Sequence, residues 1–175
     1  MADVTFNTVQ DQTIARELLM LFLNTGTAEA PVWSPIGKRV EDSSMELDWQ
    51  RESKKDIIGN TFNSMKKPIV TETFDPWDLT NGDAAQYKVW KAAFVDQDAQ
   101  ALCNMDLLLV HGYAGTALTA MFAERNPSSS IEPTGLGGAG GGNIGMPITV
   151  TFGGTRTTGT AVIANGVVTY TAAKT

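Results

Sequence analysis

Ser43-Ser44-Met45-Glu46-Leu47-Asp48-Trp49-Gln50-Arg51-Glu52-Ser53 has the sharpest period in this chain. Met45, Leu47 and Trp49 fall on one face of an extended strand, and Glu46, Asp48, Gln50 and Glu52 fall on the other, because successive strand side chains point to opposite sides. A second run, Pro68 to Phe74, alternates Ile69, Thr71 and Thr73 with Val70, Glu72 and Phe74. Together they predict a long hairpin joined by residues 54–67. That connection exceeds ordinary hairpin loops and is expected to project from the body as a mobile segment. Trp49 is expected in the core.

Working outward, Ile14 to Asn24 is dense in Leu, Met and Phe and is closed by Asn24-Thr25-Gly26. It is expected to be a strand buried on both faces, with a short helix as the alternative. Trp33 and Ile36 are expected to pin the Ala30-Pro31/Ser34-Pro35 loop to the core. Asn81-Gly82-Asp83 supplies cap residues for a helix from Ala84 to about Ala99, with Tyr87, Trp90 and Phe94 forming an apolar stripe. Leu102 to Gly112 and Thr119 to Arg125 are the next expected strands. After Asn126 only Glu132, Arg156 and Lys174 are charged, and seven of the eleven residues in 135–145 are glycine. That run predicts a loop, either flexible or closely approached by its neighbours. Threonine-rich alternation then predicts strands at Pro147 to Phe152, Thr157 to Ala164 and Val167 to Thr171, with a tight turn at Asn165-Gly166. The fold class is mostly β, in an α+β order. Residues 1–13 are expected to be an N-terminal arm, and 14–175 a single domain.

Composition narrows the function. The chain has 175 residues, net charge −6, 42% hydrophobic and 18% charged residues, against about 25% charged in typical proteins. Surface covered by Thr, Ser, Asn and Gly suits a β-rich assembling protein. An acidic balance argues against holding nucleic acid by its phosphates. The single cysteine, Cys103, forms no internal disulfide, and with His111 the only histidine there is no Cys/His zinc set. A reducing compartment is expected. Met1 to Gln12 has no secretory-signal pattern, and Leu18 to Leu23 is too short to span a bilayer.

No constellation makes a persuasive active site, so no catalytic, cofactor or metal residues are assigned. The glycine run lacks the Gly-Lys-Ser/Thr ending of a phosphate loop. Cys103 and His111 are too far apart along a strand to act together, and Cys103 is expected to be buried. The pairs Asp75/Asp78 and Asp96/Asp98 lack a calcium-loop pattern and fit turns and helix ends. Two features remain. The row Glu46, Asp48, Gln50, Glu52 is either an ordinary solvated sheet face or, repeated round a ring, the negative inside of a continuous barrel. Lys54, Lys55, Lys66 and Lys67 bracket the long connection and either solubilise it or meet acidic groups on an adjoining copy.

Several of these residues carry a resemblance. Val32-Trp33-Ser34-Pro35-Ile36-Gly37-Lys38, the hairpin Met45 to Met65 with Asp56-Ile57-Ile58-Gly59, the helix after a Gly-containing turn, and a Gly-rich passage before a Thr-rich C-terminal module occur in this order. The order resembles the major tail tube proteins of long, non-contractile-tailed bacteriophages, the siphovirus type. The resemblance implies a β-sandwich or partly closed β-barrel with one flanking helix. Homo-hexameric rings of it would stack into a hollow helical tube, with a long hairpin lining an acidic lumen that conducts DNA during ejection without binding it. Lumen candidates at the hairpin position are Glu46, Asp48, Gln50, Glu52 and Glu72, and inter-subunit candidates are Lys54, Lys55, Lys66 and Lys67. Implied partners are the chain itself, tape-measure protein, and tail terminator or tip proteins, with no membrane. Assembly in the host bacterial cytoplasm and residence in the virion tail follow. The chain departs from the family in its 135–145 run and its short tail, which is too small for an immunoglobulin-like decoration and is left to complete the sandwich or form an inter-ring arm. The alternatives are another self-assembling structural protein, namely a head or neck component or the tube of a secretion or bacteriocin particle, and then a small nucleotide-binding enzyme using the glycine loop.

Overall fold

Two runs of consecutive apolar residues set the architecture, because each must be covered on both sides. They lie in β1 (Leu19–Asn24) and, after β2 (Trp33–Ile36), β3 (Asp42–Asp48), β4 (Glu52–Lys55), β5 (Thr61–Ser64) and β6 (Ile69–Asp78), in β7 (Met105–Thr116). β8 (Ala120–Pro133), β9 (Gly145–Thr151), β10 (Thr157–Ala164) and β11 (Val167–Ala172) complete the strands. The structure, a computed structural model, describes residues 4–173. Met1, Ala2 and Asp3 of the expected arm, and Lys174 and Thr175 at the end of the expected domain, lie outside the described residues.

All strand pairs are antiparallel. The main sheet runs β2-β1-β7-β8-β9-β6-β3, curling into a half-barrel whose free edges are β2 and β3. Side-chain parity along β1 and β7 sends alternate residues to two separate cores. Leu21, Leu23, Leu107 and Leu109 point into the larger one with Phe74, Trp77, Val89, Ile131 and Val150. Phe22, Leu108 and Val110 point to the other side, where they meet Trp33, Met121, Ala161 and Val168. The cover on that side is the β10–β11 hairpin, which branches from β8 through Thr157–Ala161. Farther along, β8 pairs instead with β9. The C-terminal segment therefore completes the body of the sheet. Its Asn165-Gly166 turn has φ of +51° and +76°, the two left-handed residues of a tight hairpin turn.

The expected single long helix is instead three pieces. α1 (Ala84–Trp90) is capped by Asp83, which accepts from the Gln86 N–H at 3.0 Å. A π-helical turn, Lys91–Val95, follows, and then α2 (Ala99–Cys103), capped by Asp98. Residues 102–104, expected as strand, belong to this last turn and its end, so Cys103 is exposed and not buried. The buried face of α1 is Ala85, Gln86 and Val89, small enough for close approach to the sheet. Buried Gln86 donates to the Asp78 carbonyl and accepts from the Thr80 N–H, each at 2.7 Å, tying β6 to α1. The expected stripe is turned outward at Tyr87 and Phe94.

Of the arm, Thr5 to Asn7 lie along the end of β7: the Asn7 N–H donates to Tyr113 and the Gly115 N–H to Thr5, both at 2.9 Å. In the glycine run, Gly137 bridges Gly145, and a Cβ on Gly138 would stand 2.0 Å from the Asn143 carbonyl oxygen. The closely approached reading holds there.

Trp77 is fully buried whereas Trp49, expected in the core, is 49% exposed. Trp77→Ala should cost about 3–5 kcal/mol, and Trp49→Ala about 1 kcal/mol or less. Urea unfolding of the two variants measures both, and equal losses would contradict this placement.

Candidate assembly interface

The hairpin expected from the sequence is present, and its register decides which side each candidate faces. Met45 lies opposite Glu72, Glu46 opposite Thr71 and Asp48 opposite Ile69. Directly paired residues share a face. Glu46 and Asp48 therefore stand outward with Thr71, Thr73 and Ile69, and Glu72 stands inward with Met45 and Phe74. Glu72 is 1% exposed and does not join the acidic row. Its Oε1 accepts from the Arg16 guanidinium at 3.0 Å, and Arg16 also bonds the Ser43 hydroxyl. Burial raises the Glu72 pKa, opposed by the Arg16 charge and by the bonds from Ser43 and Arg16.

The acidic row is also interrupted. Asp48 accepts from the Gln50 N–H at 2.9 Å, and Gln50 takes a left-handed φ of +45°, ending β3 at a corner. Gln50 is thus a turn residue. Glu52 opens a second ribbon, β4–β5, which pairs Glu52 with Ser64 and Lys55 with Thr61. The Lys66 N–H donates to the Trp49 carbonyl at 3.1 Å, continuing the pairing across the corner. The connection expected to be mobile is therefore a built projection. Every strand residue of the ribbon is exposed.

The lysines sit along this projection. Lys54 lies 3.3 Å and Lys66 4.0 Å from Glu52, all three about half exposed or more. Such pairs contribute little. Lys55 and Lys67 are exposed as well. The tip is Asp56 to Asn60, where Asp56 Oδ1 accepts from the N–H groups of Ile58 and Asn60 at 3.0 and 2.8 Å. Ile57 and Ile58 stand out from it at 104% and 78% exposure. The sequence signal for this apolar tip was available: two isoleucines between a side-chain acceptor and Gly59.

On the body, Glu124 gathers Arg156 and the His111 ring. Arg156 Nε donates to it at 2.6 Å. His111 Nε2 lies 3.2 Å away, off the hydrogen-bonding line. Burial pushes the Glu124 pKa up, but the contacts from His111 and Arg156 outweigh it and hold the group at about 2. Asp106 and Arg125 form a two-point ion pair at 2.9 and 2.7 Å, with the guanidinium stacked over Trp33. These carboxylates are occupied by structural partners. Among the described residues no three His, Cys, Asp or Glu side chains converge as a metal site, and no helix is long and apolar enough to cross a membrane.

No protein-family model matches the chain, and no curated protein matches its sequence. Two solved structures share its fold over nearly their whole length. One is the tube-terminating cap of the anti-feeding prophage, with 15% identity and a TM-score of 0.51 over 89% of this chain and 96% of that one. The other is the sheath/tube terminator of PVC, an extracellular contractile injection system, in its extended state. It has 12% identity and a TM-score of 0.53 over 86% of this chain and 99% of that one. At such identities the likeness is one of fold.

The folded Glu124 pKa lies below the unfolded value of 4.5, so its contribution is complete above about pH 4.5 and is lost as pH falls towards 2. The ionised group is worth on the order of 3 kcal/mol. Glu124→Gln should therefore lower stability at neutral pH and flatten the acid limb between these values. Urea unfolding as a function of pH checks this, and an unchanged acid limb would contradict it.

Proposed function

We propose that this chain is a non-catalytic structural subunit of a phage-tail-like tube. The observation that carries the reading is the β4–β5 ribbon: a two-stranded hairpin is marginal alone in water, and this one has no cover among the described residues and an apolar tip. Cover is then supplied by another subunit. The free edges of β2 and β3 have the same need. Such subunits would form homo-hexameric rings with tape-measure and terminal proteins as partners. They would assemble in the host bacterial cytoplasm and remain in the particle.

Within that reading, Glu46, Asp48 and Glu52 line the bore, where like charge keeps passing DNA from sticking. Gln50 marks the corner below the projection. Glu72 has a different part, since it is buried. Lys54, Lys55, Lys66 and Lys67 meet carboxylates of an adjoining copy. A second reading, a ring that ends the tube, is favoured by two solved structures that share this fold, a cap and a terminator.

Negative-stain microscopy of the purified protein distinguishes these. Long hollow tubes are expected for a repeating subunit and discrete rings for a terminal one; a monomer at every concentration would end both. In particles, Glu46→Lys/Asp48→Lys/Glu52→Lys should leave assembly in place and impede DNA delivery. Unchanged delivery would remove the bore assignment.

A further inference from the structure

The half-barrel is open between β1–β2 and β3–β6, and a cavity of about 570 Å³ occupies this seam. Its buried wall includes Leu21, Ile36 and Phe74, and its exposed rim includes Glu17, Glu41 and Asp42. Glu72 lies in the wall. Arg16 and Ser43 serve one of its oxygens, while Oε2 is buried without a partner. That oxygen is closed off from the cavity, so the charge a docking partner meets is that of the rim.

The β4–β5 ribbon has the opposite character. Residues 51–67 carry five basic side chains and two acidic ones in a chain of net charge −6. The tip presents two isoleucines flanked by Lys54 and Lys55, in a loop already fixed by Asp56, so little order remains to be imposed on binding. An apolar tip with a cationic collar thus matches a cavity whose wall carries Leu21, Ile36 and Phe74 and whose rim carries three carboxylates against one cation, Arg16.

We propose that the tip of one copy docks in the seam of a second copy. Ile57 and Ile58 lie against the apolar part of the wall, and Lys54 and Lys55 against the acidic rim. The contact is between copies. Ile57 lies twelve positions after Met45, which faces Glu72, at the tip of a ribbon whose strands pair only with each other and are exposed throughout. Two different surfaces meet, so the contact is heterologous and repeats from copy to copy. The inference rests on the assembly reading above and names the surfaces that would carry it.

The test uses the full chain with its exposed thiol removed, Cys103→Ser. Ile58→Cys and Glu41→Cys variants of different tag length are mixed under assembly conditions, oxidised and mapped by mass spectrometry, with Thr134→Cys as the rim-distant control. Docking should enrich the 58–41 disulfide roughly tenfold or more over 58–134, through raised local concentration. Rings or tubes without that enrichment overturn the docking and leave the assembly reading standing, whereas a persistent monomer overturns both. In an independent arm, Lys54→Glu/Lys55→Glu should abolish assembly alone and recover it when mixed with Glu41→Lys/Asp42→Lys. Assembly unaffected by either pair would also overturn the docking.

Discussion

Burial of β1 and β7 on both faces is the constraint from which the rest of the molecule follows. A strand running Leu21-Phe22-Leu23 beside one running Leu107-Leu108-Leu109-Val110 has no side for water. Each such side chain is worth about 1.5–3 kcal/mol when covered. One face is satisfied by curling the sheet over itself with α1 against it. The other can be satisfied only by a second layer, which is why the last strands fold back as the β10–β11 hairpin over Phe22, Leu108 and Val110. The curl leaves a seam, and Arg16 spans it by reaching Ser43 and Glu72 from just before β1.

Much of this was legible where the signal is local. The two apolar runs announced strands without a wet face, Ser43 to Ser53 announced a ribbon by its period of two, and Asn165-Gly166 announced its turn. Asp83 announced the start of α1. Where several short pieces share one stretch, period alone failed: a helical stripe at Tyr87, Trp90 and Phe94 runs across a π turn and so does not stay on one face. Leu102 and Cys103 open an apolar run expected as strand, yet the Asp98 cap starts a helical turn that carries through them.

The candidate site shows the same division. Glu46 and Asp48 are outward as their parity requires. Glu72 shares parity with Val70 and Phe74, so its inward direction was also written in the alternation, but its charge argued for the opposite face. What overrules the charge is a partner 56 residues earlier, Arg16, which no local pattern indicates. Similarly, the side-chain bond at Asp48 and the left-handed Gln50 break the acidic row, and a simple count of every second residue passes over such a corner.

The projecting ribbon also gives the molecule an electrical polarity. Its positive collar stands at the end of a stalk while the body bears the chain's negative excess, so each subunit is a long dipole. At physiological ionic strength fields fade over about 8 Å, so two bodies at a distance do not sense each other, but a stalk approaching a body does. Polymers built from such dipoles have distinguishable ends, one offering stalks and the other offering bodies, and growth at the two ends would respond differently to added salt.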